Sequence, residues 1–277
     1  TVPLDEAPQL PAPTGLAQVA GAVKAAAADE RTGVILVQRV TGPDGATSWL
    51  VAIPGTQSGG FGGDTVTDMS TNLALDGGLP DQMTSAVLDA MAQAGIRPDD
   101  PVVLAGHSQG GMTAQSVAVA AGTAYSIRSV VTFGSPTIPQ PMPSGVRLFA
   151  LEQQQEAVNG LDGAAGTRTA PGVVVIRGDA ATAATGPTPG PVAAHSMDGY
   201  AALARKADEA FAAADRQVPG LPVADSGPVT DSGDGGAGGG AASGAVGSAV
   251  QVTTQAFQAT RDPAVVTATV PTMSAAP

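Results

Sequence analysis

Apolar residues fall along the chain in two alternating patterns: short unbroken runs, and longer stretches in which they recur every three to four positions. The run Val34-Ile35-Leu36-Val37 is apolar on both faces and predicts a strand over 33–40 inside a covered sheet. Residues 48–53 predict a second strand, joined to the first through the turn Gly42-Pro43-Asp44-Gly45. Buried strands are further expected over 101–105, 127–133, 146–151 and 173–176. Helical spacing marks 16–28, and also 80–94, where Pro80 suits a first helical position, Met83, Val87, Met91 and Ala94 share a face, and Gly95 ends the helix. It also marks 109–121, stopped by Gly122, and 197–214 with Tyr200, Leu203, Ala207 and Phe211 inward. Strands alternating with helices in this way predict an α/β fold, a mostly parallel sheet with helices on both faces.

The same pattern divides the chain. Residues 1–30 read as an arm, extended around Pro3, Pro8, Pro11 and Pro13, followed by one helix. Residues 31–218 hold the strand–helix alternation and form the expected catalytic domain. Residues 219–249 read as a low-complexity linker, because the Gly, Ala, Ser and Asp that dominate 226–247 bury too little to order a chain. Within 250–277, positions 250–259 alternate well enough for an added edge strand or hairpin, or for one transient strand in a floppy tail, and the tail runs from Pro263. The Gly-rich connection 57–78 reads as a surface loop in which Phe61, Met69 and Leu73 could form a small apolar flap or lid.

Charge and composition remove several classes of function. Acidic residues outnumber basic ones 24 to 12, which argues against a nucleic-acid partner, since phosphate binding needs clustered Lys and Arg. Neither Lys24 nor Lys206 follows a Gly, so no Walker-type phosphate loop is expected. Without cysteine, and with two histidines, the chain offers no disulfide, no thiolate nucleophile and no common zinc centre; no metal or cofactor is expected. Asp231-Ser232-Gly233-Asp234-Gly235 lacks the closing Glu of a calcium loop and reads as linker. No apolar run reaches the length of a membrane-spanning helix. No signal peptide is visible either, but the chain opens at Thr1, as a processed or trimmed product would, so location stays open.

The chemistry concentrates at Gly106-His107-Ser108-Gln109-Gly110. This is G-x-S-x-G between an expected buried strand and an expected helix, the setting of a nucleophile elbow with Ser108 as nucleophile. The flanking glycines are needed where Cβ atoms would clash on a sharp turn. A serine hydroxyl needs a base. His107, inside the elbow, cannot reach the hydroxyl in line, which leaves His195, after the last expected strand and before a helix. The chain order of such sites puts the acid in the loop after 146–151, where Glu156 is the first choice, with Glu152, Asp162 and Asp179 as alternatives. The oxyanion hole would take the backbone N–H of Gln109 and that of Thr56, which follows the strand end Ile53-Pro54-Gly55.

Ile53-Pro54-Gly55-Thr56, the elbow with Gly111, and Val130-Val131-Thr132-Phe133-Gly134-Ser135-Pro136 together resemble the class 3 lipase-like branch of the α/β-hydrolases. Over roughly 33–214 the chain is similar to a group of high-GC bacterial α/β-hydrolases of poorly defined substrate. Their pattern has an acid-containing loop ending Leu-Asp-Gly, here Leu161-Asp162-Gly163, and a late His-Ser before a helix with Tyr, here His195-Ser196 and Tyr200. The resemblance implies an α/β-hydrolase fold. It also implies Asp at the acid position, where this chain has Glu156-Ala157-Val158-Asn159.

With 134–145 alone separating two strands, no large cap domain is expected, and aromatic residues are too sparse for a stacking platform. The expected activity is therefore cleavage of acyl esters, in a small-molecule or lipid substrate, through an acyl-enzyme on Ser108. Thioesterase, acyltransferase or amidase chemistry on the same triad is the alternative, as is a binding protein that keeps the scaffold with a decayed site.

Overall fold

In the computed structural model, which describes residues 1–154, 156, 158, 170–179, 191–222 and 250–262, the chain begins with β1 (Val2–Pro3), α1 (Leu16–Ala28), β2 (Val34–Thr41) and β3 (Thr47–Ile53). It continues with α2 (Met69–Asp76), α3 (Gln82–Gln93), β4 (Pro101–His107), α4 (Gln109–Ala121), β5 (Ser126–Phe133) and β6 (Arg147–Gln153). Then come β7 (Val173–Gly178), α5 (Pro191–Ala194), α6 (Met197–Ala213) and β8 (Gln251–Gln258). The expected segments 223–249 and 263–277, with Asp231-Ser232-Gly233-Asp234-Gly235, and the alternative acid Asp162 lie outside the described residues.

Among the described residues the sheet has eight strands in the order β1-β8-β2-β3-β4-β5-β6-β7. β3 through β7 are parallel, while β1, β8, β2 and β3 pair antiparallel. Strand periodicity sorts the core into two layers. Leu36, Leu50, Val103, Val131, Phe133 and Leu151 face α1 and α6. Ile35, Val51, Leu104, Val130 and Leu148 face α3 and α4. Each such side chain, fully removed from water, contributes roughly 1.5–3 kcal/mol, so the two layers hold the sheet between the helices. This is the covered, mostly parallel architecture that the apolar runs predict.

Three details differ from the sequence expectation. The strand expected at an edge is β8, and it lies inside the sheet, hydrogen-bonded to β2 from Val34↔Gln258 to Thr41↔Gln251 and to β1 on its other side. The connection 57–78 contains a helix, α2, because Asp68 caps it by accepting from the N–H of Ser70 and Thr71. Pro80 precedes the cap and does not open the helix: Asp81 caps α3, accepting from the N–H of Thr84 at 2.8 Å, so the helix begins at Gln82. Residues 134–146 join β5 to β6 with no helix or strand between them, in keeping with the absence of a cap there.

The N-terminus of α1 is capped from a distance. Gly15 supplies no side chain, and the Asp208 carboxylate on α6 accepts the N–H groups of Leu16 at 2.7 Å and Ala17 at 2.9 Å. A Cβ on Gly15 would lie 2.8 Å from that carboxylate, so the glycine makes room for the cap. Asp208→Ala is expected to destabilise the fold by about 1–2 kcal/mol in urea unfolding, as loss of a charged helix cap does. An unchanged midpoint would mean that α1 needs no such cap.

Candidate active site

The parallel strands end along one rim, and a sharp backbone turn there joins β4 to α4. Ser108 occupies it with φ 53° and ψ −123°, a left-handed conformation that a residue with a side chain adopts only when its surroundings impose it. The surroundings are backbone. A Cβ on Gly106 would come 2.1 Å from the Gly110 carbonyl oxygen, and one on Gly110 would come 2.4 Å from the Pro54 carbonyl oxygen and 2.5 Å from that of Ile53. The Ser108 N–H donates to the Phe133 carbonyl at 3.0 Å, and its own carbonyl accepts from Gly111 at 3.0 Å as α4 starts. Ser108 therefore stands at the N-terminus of α4, where the first-turn N–H groups lack helical acceptors and the helix dipole favours negative charge.

The end of β3 lies against this turn. A Cβ on Gly55 would be 3.4 Å from the Ser108 Cβ, so the residue before Thr56 packs against the serine. Asn72 of α2 donates to the Thr56 hydroxyl at 3.0 Å. Gln109 opens α4, and its buried side-chain amide donates to the Asp68 carbonyl at 2.7 Å.

His195 and Glu156 arrive from separate loops and meet. One Glu156 carboxylate oxygen, Oε1, lies 2.5 Å from His195 Nδ1 and accepts the Val158 N–H at 3.2 Å. The other, Oε2, accepts the Tyr200 hydroxyl at 2.5 Å. The carboxylate is fully buried (0% exposed) while the imidazole is 20% exposed, so the acid is shielded and the ring reaches the surface. Burial of a carboxylate is tolerable when its oxygens are occupied, as these are. Tyr200 reaches it from the first turn of α6, which Ser196 caps by accepting the Gly199 N–H. Gly134 has φ 60°, and a Cβ there would lie 2.5 Å from the Tyr200 hydroxyl, so the glycine leaves the space the tyrosine fills.

Of the other candidate acids, Glu152 and Asp179 have partners of their own. Glu152, within β6, pairs with Arg177 Nε at 2.9 Å. Asp179 takes up Lys206 through its backbone carbonyl at 3.2 Å. His107 has a role that sequence reasoning missed. Its ring packs on that of His195, with centroids 4.5 Å apart, and its Nε2 is 2.8 Å from the His195 carbonyl oxygen. A carbonyl only accepts, so Nε2 carries the proton and donates. Burial, with the His195 imidazole adding to it, pushes the His107 pKa down to about 3, and the ring stays neutral. Tyr200 was legible as an inward helix position, but its bond to the acid was not. Among the described residues no group of three His, Asp or Glu side chains could hold a metal ion, and no helix is long and apolar enough to cross a membrane.

A strand–turn–helix with a left-handed serine, in a mostly parallel sheet covered on both faces, defines an α/β-hydrolase fold. Residues 77–176 match the model of the PGAP1-like alpha/beta domain, a family within the α/β-hydrolase superfamily, and over that segment the chain is similar to it. The match runs from the end of α2 into β7 and takes in Ser108, Gln109 and Glu156, while Thr56 and His195 lie outside it. No curated protein matches the chain.

The His107 pKa has a consequence for stability. Its folded value of about 3 lies below the ordinary 6.5, so the contribution is complete above pH 6.5 and is lost as pH falls from 6.5 towards 3. Between pH 6.5 and about 5 this group alone is expected to remove about 2 kcal/mol, at 1.36 kcal/mol per pH unit. Urea unfolding at the two pH values should show a smaller acid loss in His107→Gln than in the parent; equal losses would contradict the buried, neutral imidazole.

Proposed function

We propose that the protein is a serine hydrolase that cleaves acyl esters, with Ser108 as nucleophile, His195 as general base, Glu156 as the acid, and the N–H groups of Thr56 and Gln109 as the oxyanion hole. The observation that carries this reading is the buried Glu156 carboxylate on His195 Nδ1, at the rim where Ser108 stands in its left-handed turn. A carboxylate on Nδ1 keeps the proton there and leaves Nε2 as the base, the tautomer a serine hydroxyl requires.

In this mechanism Ser108 Oγ attacks the ester carbonyl carbon while its proton passes to His195 Nε2. The carbonyl oxygen takes the negative charge, facing the Thr56 and Gln109 N–H groups at the positive end of α4. Collapse breaks the bond to the leaving alcohol, which takes the proton from Nε2 and departs, leaving acyl-Ser108. Water then gives a proton to Nε2, attacks the acyl carbon and releases the carboxylic acid, and the proton returns to Ser108 Oγ.

In this reading the mouth of the site is open or covered only by the segment 57–78. In it Phe61 and Leu73 are exposed, and Val66, Thr67, Asp68, Thr71 and Leu75 are buried anchors. A small-molecule or lipid acyl ester suits such a rim. The decayed-scaffold alternative drew on Glu in place of Asp. The longer side chain reaching His195 and Tyr200 together speaks for a working acid.

A fluorophosphonate probe should label the folded protein and fail on Ser108→Ala. Absence of labelling on folded parent protein would favour a binding protein on this scaffold. Across p-nitrophenyl esters of increasing chain length, Glu156→Gln should lower kcat by roughly 10³–10⁴-fold. A Glu156→Gln variant with parental kcat would remove Glu156 from the mechanism. Labelling without turnover on any ester would point to thioester, amide or transfer chemistry.

A further inference from the structure

We infer that Arg261, carried in by the C-terminal strand β8, is a positioning residue for the oxyanion hole, acting through Asp68 on both Gln109 and Thr56; this rests on the hydrolase reading above. The starting observation is a buried ion pair that the triad does not use. After β8 the Ala259 N–H donates to the Gly33 carbonyl at 3.0 Å, and the chain then turns so that Arg261 enters the segment 57–78. Arg261 Nε and Nη2 both donate to the Thr65 carbonyl, at 3.0 and 2.6 Å, and Nη2 lies 2.8 Å from Asp68 Oδ2. The guanidinium side chain is 12% exposed and the carboxylate side chain 0%.

Asp68 is a junction. Its Oδ1 accepts from Ser70 N–H at 3.0 Å and Thr71 N–H at 3.2 Å, which starts α2 at a defined point. Its backbone carbonyl accepts the Gln109 side-chain amide at 2.7 Å. One turn along α2, Asn72 donates to the Thr56 hydroxyl at 3.0 Å. Both residues assigned to the oxyanion hole are thus tied to one short segment, through a side chain of each, and Arg261 clamps that segment from behind. The inner limb is reinforced by Gln57 and Ser58, whose N–H groups donate to the Thr67 carbonyl at 2.9 and 3.1 Å.

Arginine suits the place because its planar fork serves a carbonyl and a carboxylate at once, whereas a lysine ammonium is a single point on a flexible stem. Displacement of an oxyanion donor acts on the transition state more than on ground-state binding. Loss of Arg261 is therefore expected to appear in kcat, with KM little altered. A tether that only stabilises the fold would lower the unfolding midpoint and leave the kcat of the folded fraction intact.

The test compares Arg261→Met, Arg261→Lys and Asn72→Ala in the full chain. Kinetics are read on the p-nitrophenyl ester the parent turns over best, and hydrogen exchange is read on peptides covering 54–58, 66–72 and 109–112. Arg261→Met should lower kcat by roughly 10–100-fold with KM within about twofold, and Arg261→Lys should restore part of it. Exchange should quicken over 54–58 and 66–72 while β4 and β5 keep parental protection. Asn72→Ala, which leaves the ion pair untouched, should lower kcat if Arg261→Met fails to fold. Parental kcat in folded Arg261→Met, or in Asn72→Ala when Arg261→Met does not fold, overturns the inference. So does unchanged exchange over 54–58 in folded Arg261→Met. If the parent itself neither turns over esters nor reacts with fluorophosphonate, the hydrolase reading falls separately. The exchange comparison then decides the anchoring: quickened exchange over 54–58 supports it and unchanged exchange refutes it.

Discussion

Where β4 becomes α4, two stretches of backbone lie too close to admit a single carbon between them. Gly106 faces the Gly110 carbonyl, and Gly110 faces the carbonyls that end β3. This contact forces the chain to turn within one residue, and Ser108 bears the consequence as a left-handed φ that costs of order 1–3 kcal/mol. The two hydrophobic layers that clamp the sheet offset that cost. In return the serine is lifted out of the sheet at the positive end of a helix, and the end of β3 is pressed beside it.

Glu156 shows how a longer carboxylate side chain reaches an imidazole from the end of β6. Glu156 follows β6 in a tight turn, its N–H donating to the Gln153 carbonyl at 3.3 Å, so its Cα starts close to the sheet. The extra methylene then takes the carboxylate to His195, and Tyr200 occupies the second oxygen. His107 holds the far side of the same loop by donating to the His195 carbonyl. The imidazole is fixed through its Nδ1 and through its own backbone.

Much of the fold was legible in sequence, because it is written in local signals. Unbroken apolar runs marked β2, β4 and β6, since a strand covered on both faces has no polar side to show. The glycine pair around Ser108 marked the sharp turn between β4 and α4, because the turn itself demands it. What escaped is non-local. Asp68 became visible as a helix cap only once α2 had formed in a stretch dominated by glycine and threonine. β8 follows a segment with no apolar pattern, so its place between β1 and β2 could not be read from neighbours in sequence. Arg261 meets Thr65 across 196 residues, and nothing in a run of single residues announces such a pair. His107 was weighed only as a rival base, and its bond depends on where the His195 loop lands.

The proposed mechanism needs an imidazole, steadied by a buried glutamate, to face Ser108, with two backbone amides placed for the oxyanion that forms on the substrate carbonyl. A crystal structure of the protein after reaction with a phosphonate ester examines all of it at once. The account predicts phosphorus bonded to Ser108 Oγ, its phosphoryl oxygen within hydrogen-bonding distance of the Thr56 and Gln109 N–H groups, and His195 Nε2 facing the adduct with Glu156 still on Nδ1. An adduct on another residue, a phosphoryl oxygen turned to solvent, or His195 swung away from the phosphorus would contradict it.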